Sequence, residues 1–176
     1  MCRKIIFPIC ALIVLVISNA QADTNTISRY VPQAQQVGSG RLTLLFWNVY
    51  DATLYAPKAQ WSAHEPYALS ISYLREIKGA EIAKTSAEAI RDLGFSDEEI
   101  LDDWYGSMLR IFPDVDESTT LIGVRNDKGE TIFYNNDQIA GTITDPAFAD
   151  WFFGIWLNEK TQKPELRKKL LGLQAR

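Results

Sequence analysis

Two polar side chains stand out in the apolar stretch Gly38–Pro57, GSGRLTLLFWNVYDATLYAP: the cation Arg41 and the phenol Tyr50. Arginine keeps its charge in any protein environment, so an Arg in a strand that reads as buried needs a partner. Either a carboxylate of the chain, such as Asp51 or Glu76, answers it, or an anion from outside does. In the second case Arg41 grips a carboxylate or oxyanion, and the Tyr50 hydroxyl is a second donor. The stretch itself reads as two consecutive strands, rich in β-branched and aromatic residues. A hairpin loop of even length near Leu45–Asn48 makes paired positions sum to an odd number. Positions 41 and 50 do so, which puts Arg41 and Tyr50 on one face with Thr43, Leu45, Ala52 and Leu54 around them.

Other chemistries find little to build on. There is one histidine, His64, in a loop between Pro57 and Pro66, so neither a metal site nor a Ser-His-Asp arrangement is expected. No nucleophile elbow and no zinc-protease motif is present, and no cofactor is called for. Asp102 and Asp103 are adjacent on a helix and point apart, as solvated side chains. The basic run Lys160–Lys169 reads as a solvated terminal helix. Gly38-Ser-Gly40 precedes a strand, not a helix N-terminus, and so is not a phosphate loop.

The first 22 residues read as a secretory leader. Arg3 and Lys4 precede the apolar run Ile5–Ile17, and Ala20-Gln21-Ala22 forms a small-residue cleavage site before Asp23. Thirteen apolar residues are too few to cross a bilayer. Both cysteines, Cys2 and Cys10, fall within this leader, so the remaining 154 residues carry no thiol. A periplasmic or secreted protein without disulfides is expected, standing on its apolar core alone. Its 16 basic against 22 acidic residues, net −6, make nucleic acid and anionic membrane surfaces poor partners. No transmembrane segment is expected after the leader is removed, and no protein partner is indicated.

The periodicities give the order β-β-β-α-α-β-β-β-α-α. Residues 23–36 read as a flexible lead-in with a short strand around Ile27–Val31, and residues 37–176 as one domain. Tyr67–Leu74 alternates as a third strand with Leu69, Ile71 and Tyr73 on one face. Ile77–Leu93 turns to helical spacing and closes on Gly94. Ser96-Asp-Glu-Glu99 reads as a capping box opening a helix that buries Ile100, Trp104, Met108, Leu109 and Ile111–Phe112. Thr119–Arg125, Thr131–Tyr134 and Gln138–Ile143 form a meander around turns at Asn126–Gly129 and Asn136-Asp137. Asp145-Pro146 starts an aromatic helix, Pro146–Leu157, and Pro164–Leu171 is the last helix. Consecutive strands and paired helices predict class α+β, an antiparallel sheet with helices on one face.

The motifs GSGRL and VYDATLYAP, then Ile77-Lys78-Gly79, then FFGIWL and KPELRKKLLG, occur in this order along nearly the whole chain after the leader. Together they resemble the bacterial chalcone isomerase-like family. The resemblance implies an open-faced β-sandwich: a curved antiparallel sheet under a helical layer, with a ligand cleft between them. The family includes isomerases that cyclise chalcones and non-catalytic fatty-acid-binding members. Its cleft arginine matches Arg41, and Tyr50 falls where the fatty-acid binders carry a Tyr. The helix positions that hold a Tyr and an Asn in the isomerases are Ile82 and Ala89 here, and neither can donate a hydrogen bond. The expected function is therefore binding of a fatty acid or other apolar anion without turnover, with Arg41 and Tyr50 at the anion and Thr43 and Leu54 beside them. The alternatives are an isomerase or lyase using Arg41 to stabilise an oxyanion, and a structural or partner-binding protein with Arg41 paired internally.

Overall fold

The computed structural model describes residues 25–173. The expected leader and its cleavage point lie outside the described residues. Six strands form one antiparallel sheet in chain order: β1 (Ala34–Leu44), β2 (Trp47–Pro57), β3 (Tyr67–Tyr73), β4 (Thr120–Arg125), β5 (Thr131–Asn135) and β6 (Gln138–Ile143). Two helices are inserted between β3 and β4, α1 (Gly79–Asp92) and α2 (Glu98–Ile111); two more end the chain, α3 (Pro146–Leu157) and α4 (Pro164–Leu170). This is the expected α+β order.

Helix ends follow local chemistry. Asp145 accepts a hydrogen bond from the Ala147 amide at 2.9 Å, and Pro146 fills the first turn of α3. Gly94 follows α1 with φ +107°, a conformation that favours glycine. The start of α2 differs from expectation. Asp97, not Ser96, caps it, accepting from the Ile100 amide at 3.2 Å. The buried stripe is Leu101, Trp104 and Met108, while Ile100 and Leu109 are exposed. Leu101, Trp104 and Met108 fall at i, i+3 and i+7, one stripe of the helix, and Ile100 and Leu109 lie at its edges.

The sheet has two sides to bury. Helices α1, α2 and α3 cover one face, where Leu54, Leu69, Met108, Phe148 and Phe153 form the main core. The other face is partly covered by the residues expected to be a lead-in. Residues 25–27 are helical, not a strand, and Ile27 and Val31 are fully buried against Ala68, Ile122, Val124 and Tyr134. The Tyr30 and Tyr134 hydroxyls close this second cluster at 3.0 Å.

Gly38 and Gly40 lie inside β1 rather than before it, where α4 crosses closely. A Cβ on Gly38 would fall 2.1 Å from the Lys169 carbonyl oxygen, so α4 requires bare backbone there. Gly79 is just as tight, with a hypothetical Cβ 2.2 Å from the Phe112 carbonyl oxygen.

Candidate functional site

The β1–β2 pairing decides which polar groups share a face. The loop is two residues long, an even length as expected, and Leu44 pairs Trp47 and Thr43 pairs Asn48. Val49 is then skipped as a β-bulge, so Leu42 pairs Tyr50 and Arg41 pairs Asp51. One extra residue on β2 reverses the parity of the pairs from Leu42–Tyr50 to Gly38–Leu54, where a second register shift restores it. Arg41 and Tyr50 therefore face opposite sides, correcting the expectation that they share one.

On the outer side the Arg41 guanidinium binds Asp51 through two parallel hydrogen bonds, 2.7 and 2.8 Å, with both side chains about half exposed. The hydrogen bond and charge of Asp51 raise the Arg41 pKa further. Thr43 is also on this side, donating to the Asn48 side-chain oxygen at 3.0 Å. Leu54 is fully buried in the main core. None of these three lines the cavity between sheet and helices; Tyr50 does.

That cavity has a volume of about 310 Å³. Leu69, Ile71 and Tyr73 of β3 and Gly123 of β4 form its floor, as the alternation of β3 predicts. Ile82, Ser86 and Ala89 of α1 and Phe152, Phe153 and Trp156 of α3 form its roof. Gly123 leaves space that the Phe153 ring occupies, 3.2 Å from where a Cβ would stand. Both helix positions that the resemblance assigns to a Tyr and an Asn in the isomerases face this space, and Ile82 and Ala89 bring it no donor.

The polar groups of the wall are few. The Trp156 indole N–H donates to the Tyr50 hydroxyl oxygen at 2.8 Å. The proton of Tyr50 itself has no acceptor among the described residues. Burial pushes its pKa up to about 12, with the Trp156 bond pulling weakly the other way, so the phenol stays protonated and remains a donor. Tyr73 meets Tyr50 edge-on at 6.1 Å between centroids. Burial first, and then the neighbouring Tyr50, raise its pKa too. Lys163, on the loop before α4, brings the wall's one cation. Burial lowers its pKa, against the opposing charge of Asp92, and it makes no ion pair among the described residues. Glu81 and Thr85 stand on the exposed side of α1, at the rim.

Tyr73 was legible as an inward residue of β3, though not as a donor. Lys163 was not: in KPELRKKL nothing local separates it from the solvated lysines that follow. Among the described residues no cluster of three or more His, Asp or Glu could hold a metal, and His64 is exposed in its loop.

Residues 32–172 match the chalcone isomerase-like family. No curated protein matches the sequence. Among solved structures, the crystal structure of a fatty-acid binding protein from Arabidopsis thaliana is similar, with a TM-score of 0.63 and 12% identity. The match covers 80% of this chain and 87% of that one.

Proposed function

Since the chain belongs to the chalcone isomerase-like family, we propose that its cavity binds a fatty acid or a similar apolar anion and does not convert it. The observation that carries this reading is the Tyr50 hydroxyl, held by Trp156 in an apolar cavity with its own proton unclaimed. A carboxylate is the natural acceptor, with Tyr73 as a second phenol and Lys163 as counter-charge. The similarity to a fatty-acid binding protein supports the same class of ligand. So do Ile82 and Ala89, which leave the roof without the donors that chalcone cyclisation uses in the family's isomerases.

Magnitudes assign the roles. Each buried CH₂ contributes about 0.8 kcal/mol, so ten of them give about 8 kcal/mol, comparable to an association cost of roughly 4–15 kcal/mol. A hydrogen bond to a charged group adds about 1.5–3 kcal/mol. The acyl tail supplies affinity, and the polar groups set which end enters first. A cavity of about 310 Å³ is at the small end for ligand sites, suited to one ligand molecule.

Native mass spectrometry of the purified protein is expected to show a co-purifying fatty acid. Titration with a fluorescent fatty acid should give about tenfold weaker binding for Tyr50→Phe, the loss of one such hydrogen bond. Affinity should also fall as pH rises through the lowered pKa of Lys163, because the anion loses its counter-charge; Lys163→Met should flatten that profile. Unchanged affinity in both variants overturns the reading. Residues 1–22 support export of the chain, and a mature N-terminus at Asp23, read by intact-mass measurement, is the expected result.

A further inference from the structure

The tip of the β1–β2 hairpin is built from the wrong residues for a turn in water. Its two loop residues are Leu45 and Phe46, 91% and 96% exposed. Leu45 has φ +56°, where tight hairpins ordinarily use Asn or Gly because a branched side chain is strained there. Leu44 and Trp47 flank them at 56% and 67% exposure. Four consecutive large apolar side chains thus project together, whereas Ile100, Leu109, Ile139 and Leu173 are exposed singly.

Two further observations say what covers the tip. The Arg75 guanidinium sits 5.8 Å from the centroid of the Trp47 ring, a cation behind an aromatic. Tryptophan and arginine in that order suit the boundary between acyl chains and headgroups. Leu44 also lines the cavity, with Leu42 and Val49, so apolar surface runs without a break from the tip to the cavity. The patch is too small for a stable protein contact. With no side chain offering more than about 250 Å², and two of the four partly covered, it presents on the order of 600 Å², below the roughly 800 Å² per partner of a standard interface. A convex tip needs only a few ångströms of acyl chain to receive it.

We propose that the Leu44–Trp47 tip inserts into the interface of a lipid bilayer, with Arg75 at headgroup level. Docking there sets the cavity against the membrane, where apolar anions dissolve. Insertion is driven by apolar burial, and the net charge of −6 without residues 1–22 directs it to zwitterionic rather than anionic lipid. The use of this contact for ligand exchange rests on the binding reading above; the docking does not.

The test places an environment-sensitive fluorophore on Phe46→Cys in the chain from Asp23 onward, which carries no other cysteine, and adds phosphatidylcholine vesicles. The expected result is a blue shift and quenching by nitroxide-bearing lipid at position 46, and neither at a control label on His64→Cys. Leu45→Asp should reduce the position-46 response to vesicles about tenfold or more. A position-46 label that stays in water overturns the proposal, as does one shielded only as protein concentration rises, which would assign the tip to a second copy. Fluorescent fatty-acid binding from solution separates the two readings. Binding without insertion sinks the docking alone, and insertion without binding sinks the ligand assignment alone.

Discussion

Tyr50 and Arg41 sit on neighbouring strands, and the skipped residue Val49 sends them to opposite sides of the sheet. Their energetics differ accordingly. Tyr50 is buried against Trp156, so Tyr50→Phe leaves an indole N–H without its acceptor as well as removing a donor to the ligand. Arg41 and Asp51 form a half-exposed pair, of the kind that contributes little. Arg41→Ala is therefore expected to leave fatty-acid affinity unchanged in the same titration that detects Tyr50→Phe; a tenfold loss would bring Arg41 back to the ligand. The motif around Arg41 was legible, but its direction was not, because a β-bulge leaves no mark in a run such as FWNVYDA. Lys163 was hidden for another reason: its position at the wall is set by where α4 docks, a tertiary fact.

At the level of elements, α1 is started by a residue from elsewhere in the chain. Its N-cap Lys78 has no side-chain cap of its own. Instead Asp114 accepts from the Gly79 amide at 3.0 Å and from the Lys78 ammonium at 2.7 Å. Lys78 first, then the Gly79 amide, lower the Asp114 pKa. The folded state therefore holds the charged form more tightly than the unfolded chain does. That contribution is complete above the ordinary aspartate range and is lost as pH falls through the lowered folded value. Asp114→Ala should reduce the melting temperature at pH 7, and the difference from the parent should shrink below about pH 4, followed by circular dichroism. A difference that persists in acid would assign the effect to packing. Most element ends were legible, because Asp145-Pro146, Gly94 and Gly129 carry their own stop and start chemistry. The cap of α2 was not legible, because Ser96 and Asp97 are both good caps, and its apolar residues are too many for the sequence to say whether Ile100 or Leu101 turns inward.

For the whole molecule, the sheet has a helical layer on one side and residues 25–31 on part of the other. The second cluster makes those residues part of the fold: Ile27 is fully buried on the face away from the cavity. Ile27→Ala is expected to lower stability by about 2–5 kcal/mol while leaving fatty-acid affinity intact, measured by urea unfolding and by titration. A loss of binding larger than the loss of folded protein would show that the two faces communicate. The sequence suggested only a short strand at Ile27–Val31, since four polar residues and Tyr30 surround the two anchors of this layer.

The crossing of α4 over Gly38 and Gly40 has a kinetic consequence. Residues 164–170 are made after the six strands, so in a growing chain the face of β1 that Leu166 and Leu170 cover stays bare until they follow. Until residues 164–170 emerge, that apolar face is open to contact with other chains. Successful folding thus waits on residues 164–170, and their removal would be felt first as aggregation rather than as lost affinity.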